Sequence, residues 1–180
     1  MDTDDRKFQK HLASAHDLTV GTEDRAADFC AANERINEAL GLRPGAAEAW
    51  ILKARIAVGL DDHLAALAAI EMARRKRSDM AEVHFWRALI LMDLERYNES
   101  LESIYGSFER MQPHDEWLVE YLFQAKAELC QLQGKTDAAL ATFHEGLQYC
   151  PDSAILKQGL SPLRREQLRS MLKVIPGGKC

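Results

Sequence analysis

The sequence predicts an all-α protein made of repeated helix–turn–helix units. Three observations carry that reading. A small–large–small triplet at i, i+4 and i+7 recurs as Ala32/Ile36/Ala39, Ala66/Ile70/Ala73, Ser100/Ile104/Ser107 and Ala139/Phe143/Gly146. The triplets begin 34, 34 and 39 residues apart. Each is followed by a proline or a turn-former, at Pro44, Ser78–Asp79, Pro113 and Pro151.

The triplet spacing places all three side chains on one helix face. Small residues there let a neighbouring helix approach closely while the large one fills the gap between them. Thus "AALATFHEGLQYCPDSA" from Ala138 and "AALAAIEMARRKRSDMA" from Ala65 are two versions of one helix ending. A second helix repeats in the same register, as "AEAWILKARIAVGL" from Ala47 and "AEVHFWRALILMDL" from Ala81. In these two stretches Ala54 and Ala88, Ile56 and Ile90, and Leu60 and Leu94 coincide. The stretch "EYLFQAKAELCQLQG" from Glu120 carries Ala127 and Leu129 at the matching places. Polar turns separate the two helices of a unit: "DDH" at Asp61, "ERYN" at Glu95 and "GKTD" at Gly134.

Together these features resemble the tetratricopeptide repeat (TPR) family. Ala54/Ala66/Ile70, Ala88/Ser100/Ile104 and Ala127/Ala139/Phe143 fall at that family's small, small and bulky positions, with Pro44 and Pro151 at its proline. The resemblance implies an array over 1–160, with units at about 6–46, 47–80, 81–114 and 120–153. In the first unit Gly21 interrupts the register, so its first helix, near Arg6–Leu18, is expected to be displaced. Five extra residues around "MQPHDEWLV" are expected to lengthen a helix on one side of that junction.

A repeat array needs its last apolar face covered. Ser161–Pro162 reads as a helix start, serine as N-cap and proline in the first turn. Leu168, Met171, Leu172 and Ile175 then form a stripe, so 161–175 is the expected capping helix and 176–180 a flexible tail.

Composition narrows the functional classes. The 180 residues are 47% apolar and 28% charged with a net charge of −5, which gives no bulk attraction to nucleic acid. The acidic start "MDTDDRKFQK" is unlike a secretory signal, and no apolar run reaches the roughly 20 residues of a membrane span. Cys30, Cys130, Cys150 and Cys180 lack CxxC spacing, so a cytoplasmic chain with reduced thiols and no metal site is expected. Cys30, Cys130 and Cys150 are expected as small core residues. His11, His16, His63, His84, His114 and His144 are scattered, and no nucleophile elbow, phosphate loop or dinucleotide fingerprint occurs. The run "ARRKRSD" at Ala73 reads as a solvated helix C-terminus, where cations complement the dipole. No enzyme activity, cofactor or metal is expected.

Surface then carries the function. The resemblance implies a concave groove lined by the first helix of each unit. Its inward positions hold Glu48, Ile51, Arg55, Val58 and Gly59; Glu82, Phe85, Leu89, Met92 and Asp93; and Tyr121, Gln124, Glu128, Gln131 and Leu132. Ile51, Phe85, Leu89 and Met92 are expected to form an apolar patch rimmed by Glu48, Arg55, Glu82 and Glu128, the pattern of a binding site. Family members that grip a C-terminal carboxylate use lysine, asparagine and arginine at fixed groove positions; here those places hold residues such as Ile51, Leu52, Arg55, Glu82 and Trp86, of which only Arg55 is basic, so carboxylate capture is not expected. The expected function is an adaptor or scaffold holding an apolar or amphipathic peptide of a protein partner, with no nucleic acid and no membrane insertion. The alternatives are a secretion-chaperone-like protein holding an apolar segment, and a self-assembling structural array. In a further alternative the N-terminal segment itself fills the groove. Acidic residues crowd the first 28 positions and basic ones 161–175, so a head-to-tail homo-oligomer also enters the expectations.

Overall fold

The computed structural model describes the backbone of residues 3–20 and 25–173 and the side chains of 3–19 and 28–165. Among the described residues all regular structure is helical: α1 (Thr3–Val20), α2 (Arg25–Leu42), α3 (Ala47–Gly59), α4 (His63–Lys76), α5 (Ala81–Asp93), α6 (Tyr97–Arg110), α7 (Leu118–Leu132), α8 (Thr136–Tyr149) and α9 (Ala154–Lys173). The chain divides into two compact units, Met1–Arg110 and Met111–Cys180.

The repeated triplets are the packing points. Ala32, Ile36, Ala39, Ala66, Ile70, Ala73, Ser100, Ile104 and Ser107 are all fully buried, and so is Ala139, with Phe143 1% exposed. Serine substitutes for alanine in α6 without leaving a buried hydroxyl unpaired. The Ser100 Oγ donates to the Ala88 carbonyl and the Ser107 Oγ to the Ala81 carbonyl, both at 2.8 Å, stitching α6 to α5.

The turns between paired helices also repeat in detail. Asp61, Glu95 and Gly134 take positive φ of 60°, 58° and 72°. The following amides, of Asp62, Arg96 and Lys135, bond the carbonyls of Ala57, Leu91 and Cys130 at 2.8–2.9 Å. This is the six-to-one closure of a Schellman ending, which satisfies carbonyls the helix leaves orphaned. Asp62 then accepts from the Ala65 amide at 2.9 Å as the N-cap of α4.

In the first unit, α1 packs with α2 and α3 around Phe8, Ala15, Ala32, Ile36, Ala39, Ala49, Leu52 and Ile56. Ala15 precedes Ala32 by 17 residues, against 12 between Ala54 and Ala66, so the first helix is displaced along the sequence. Asp5 pairs with Arg43, whose guanidinium lies 4.8 Å over the Phe8 ring, and this fastens the start of α1 to the end of α2. A second cluster joins α3, α4 and α5 through Ile51, Ala54, Ala66, Ile70, Ala73, Val83 and Ile90. Arg87 of α5, 17% exposed, reaches Glu71 of α4 at 2.7 Å and Ser103 and Glu99 of α6. Burial raises the Glu71 carboxyl, but hydrogen bonds from Arg87 and Arg74 outweigh it and hold the group below its ordinary pKa.

In the second unit, α7, α8 and α9 bury Leu118, Leu122, Ala127, Leu129, Phe143 and Leu156. The extra residues lengthen α7, which begins at Leu118, only slightly, and most fold as a 3-10 turn at Pro113–Asp115. Gln112 and Asp115 cap that turn reciprocally, the Gln112 amide meeting the Asp115 carboxylate at 3.0 Å. The last helix begins at Ala154 rather than at Ser161, with Pro162 inside it. Ser153 supplies the earlier cap, accepting from the Leu156 amide at 3.2 Å, and Leu156 and Leu163, two turns apart, are buried together. Ser161 bonds back to the Lys157 carbonyl at 2.9 Å instead of capping. The side chains of Leu168, Met171 and Leu172, with Ile175 and the tail, lie outside the described residues.

Candidate binding cleft

A cleft of about 390 Å³ opens in the first unit between α1 and α3, with Glu82 of α5 at its edge. The two helices present the same pattern to it. Gln9, Leu12, Ala13 and His16 stand on α1 at i, i+3, i+4 and i+7; Glu48, Ile51, Leu52 and Arg55 stand on α3 at the same steps. That spacing is one helix face. Each face reads polar, apolar, apolar, polar, so the cleft has an apolar middle between polar ends.

Glu48 is exposed at the first turn of α3, where a carboxylate also complements the helix dipole. Arg55 is half-buried, with its guanidinium carbon 5.1 Å over the Trp86 ring. A cation over indole at this distance is held by about 0.5–1 kcal/mol. Trp86 is itself fixed: its indole N–H donates to Glu82 at 3.1 Å, and the Phe85 ring meets it edge-on at 5.4 Å between centroids. Arg55 and Glu82 are thus both positioned by one aromatic side chain.

The structure therefore brings together Glu48, Ile51, Arg55 and Glu82 of the expected groove residues. Ile51, 3% exposed, offers only an edge as part of the cleft floor. Phe85, 5% exposed, meets the Trp86 ring edge-on and does not line the cleft. Leu89 and Met92 are half-buried on α5, away from the cleft lining. Hence this cleft is lined from α1 and α3, with Glu82 of α5, and Phe85, Leu89 and Met92 are not in its lining. Tyr121, Gln124 and Glu128 belong to the second unit. There Tyr121 meets the exposed Trp117 at 6.1 Å, and Gln124 donates to Glu128 at 2.7 Å.

The α1 wall is what sequence reasoning missed. Its signal was present, since Gln9, Leu12, Ala13 and His16 repeat the α3 stripe, but the displaced register removed α1 from the repeat alignment. Among the described residues α1 forms one wall of this cleft.

A second cleft, about 490 Å³, lies on α4, α5 and α6 around Arg74, His84, Arg87 and Arg110, with Glu102 and Glu109 in its wall. Its cations are committed. Arg74 and Arg87 hold Glu71, and Arg110 donates to the Ser78 and Gly106 carbonyls at 3.0 and 2.9 Å. Burial, and then the neighbouring arginines, push the His84 imidazole below its ordinary pKa; its Nε2 lies 3.0 Å from the Ser78 carbonyl. The basic run at Arg74–Arg77 ends α4, and Arg77 forks onto Asp79 at 2.9 and 3.0 Å.

Cys30 is exposed, and Cys130 and Cys150 are half-buried, so none of the three is the core residue expected; Cys30 and Cys130 lie off the buried positions of α2 and α7, and Cys150 caps the end of α8. Burial, with the Glu120 charge, pushes the Cys150 thiol up, away from a nucleophile's range. Among the described residues no helix is long and apolar enough to cross a membrane, and no cluster of three metal-ligating side chains occurs.

No protein-family model matches the chain, and no curated protein matches it in sequence. Solved structures do. PilF of Pseudomonas aeruginosa is 14% identical with a TM-score of 0.74, over 93% of this chain and 72% of that one. MamA is 10% identical with a TM-score of 0.67, over 94% of this chain and 90% of that one. Human IFIT1, solved as a dimer with m7Gppp-AAAA, is 20% identical with a TM-score of 0.67, and this chain covers 39% of its length. All three are TPR proteins, and the chain has their helix–turn–helix repeat fold.

Proposed function

We propose that this TPR-fold chain is a protein-interaction adaptor, not an enzyme, that holds an apolar or amphipathic peptide segment in the α1–α3 cleft. One observation carries the reading: two helices turn matching polar–apolar–apolar–polar faces toward one open cleft. A peptide side chain entering between Leu12, Ala13, Ile51 and Leu52 loses its water to apolar contact, at about 25 cal/mol per Å² buried. Polar groups at both ends fix its register, the usual division of labour in helix-in-groove recognition. The cleft holds two carboxylates and one guanidinium, and the net charge is −5, which favours a protein segment over nucleic acid. Nothing in the cleft pairs a nucleophile with a base.

Filling the cleft tests this directly. Ala13 is exposed on α1, so Ala13→Trp occupies the cleft without entering the core. Expected is loss of partner capture from the native cell with unchanged helicity by circular dichroism. Undiminished capture by the folded variant contradicts the reading.

A further inference from the structure

We infer that the segment held in the α1–α3 cleft is an amphipathic helix carrying a cation and an anion two turns apart, with apolar side chains between them. The inference rests on the cleft being the binding site, and deepens it by naming the partner's charge pattern. Glu48 and Arg55 stand at i and i+7 on one face of α3, about 10 Å apart along its axis at 1.5 Å per residue. Between them lie Ile51 and Leu52, the apolar floor.

Both charges are uncommitted. Among the described residues no carboxylate lies within ion-pair distance of Arg55, whose partner is the Trp86 ring face. Among the described residues no lysine or arginine pairs with Glu48 either. Arg77 feels its charge, but that guanidinium is forked onto Asp79. Glu82, the second carboxylate, accepts only the Trp86 indole N–H. Elsewhere in the unit Arg87, also half-buried, is held by Glu71, Ser103 and Glu99. The cleft is thus a place where opposite charges are held apart, one of them by an aromatic clamp, instead of neutralising each other.

A ligand helix repeats side chains on one face at i, i+3, i+4 and i+7, the same steps as α3. A lysine or arginine at one end of that face meets Glu48. An aspartate or glutamate at the other end meets Arg55. Leucine-sized residues at the two middle places fill the floor. A ligand with two like charges leaves one end of the cleft repelled and desolvated, so the pattern excludes as well as attracts.

Three synthetic helical peptides of equal length, acetylated and amidated, test it by fluorescence anisotropy at low salt. All carry the two central leucines, and their flanking charges are Lys/Glu, Lys/Lys or Glu/Glu. Wild type is expected to bind Lys/Glu about fivefold more tightly than either like-charged peptide, the factor two partly exposed ion pairs supply. Arg55→Glu is expected to shift preference to Lys/Lys, and Glu48→Lys to Glu/Glu. Equal binding of the three peptides, blocked by Ala13→Trp, overturns the charge pattern and leaves the cleft as the site. Absence of binding by all three, or binding that survives Ala13→Trp, overturns both. A dimer of the free protein that Glu48→Lys dissociates assigns the cleft to a second copy of the chain and overturns the inference.

Discussion

Replacing Gly146 by alanine adds one carbon where α8 leaves no room for it. That carbon would stand 2.8 Å from both Cβ and Cγ of Phe123 and 3.0 Å from Cδ1 of Leu156. The Phe123 Cβ is fixed by the α7 backbone, so no rotamer change relieves the contact, and retreat from α7 drives the helix toward Leu156. Overpacking of this kind costs about 1–3 kcal/mol, and contacts on two sides place it in the upper part of that range. Alanine returns about 1 kcal/mol of helix propensity. The net is a loss of about 1–2 kcal/mol, or roughly 2–8 °C in Tm for a chain of this size. Gly41 is the control: it is exposed in the last turn of α2, and a carbon added there meets nothing within 4 Å. Gly41→Ala is therefore expected to gain about 0.5–1 kcal/mol, with Tm unchanged or slightly raised. Thermal melts followed by circular dichroism read both. A Tm for Gly146→Ala equal to or above wild type refutes the close α7–α8 contact on which the repeat register stands.

Glu95 has φ of 58° at the α5–α6 turn, where Gly134 occupies the corresponding place in α7–α8, so Glu95→Gly is expected to raise stability by about 0.5–1 kcal/mol; a fall in the denaturation midpoint contradicts the turn geometry. Folding lowers the Glu71 carboxyl, so its pairing stabilises the protein above the ordinary carboxylate pKa of about 4.3 and is lost as pH falls through the lowered folded value. Glu71→Gln is accordingly expected to be less stable than wild type near neutral pH, with the difference closing over the range in which pH falls through the lowered folded value. A difference that stays constant across that range contradicts the Arg87–Glu71 link.

Much of this fold was legible because a repeat states its packing rule several times. Ala66, Ser100 and Ala139 recur at one helical phase, and all are buried. What the sequence obscured lies where the period fails. In the first unit Ala15 is buried 17 residues before Ala32, against 12 between Ala54 and Ala66, so α1 drops out of the alignment that nominates groove residues. Ser161–Pro162 satisfies a local rule for starting a helix, yet the buried pair Leu156 and Leu163 extends α9 back to Ser153. Tertiary burial outweighs a capping preference of about 1 kcal/mol. Phe85 sits at an inward position of the repeat, yet it is 5% exposed and meets the Trp86 ring edge-on. Which side chain of a crowded row faces water depends on neighbours that the repeat pattern does not specify.

Site-specific photocrosslinking tests most directly whether the α1–α3 cleft holds a partner. A photoreactive residue is placed in the native cell at Gln9 and at Glu48, one on each cleft wall and both exposed, and in parallel at Glu34, exposed on α2 outside the cleft. The account predicts one shared crosslinked protein from Gln9 and Glu48, absent from Glu34 and abolished by Ala13→Trp. Crosslinks that are strongest from Glu34, or that persist unchanged in Ala13→Trp, contradict it.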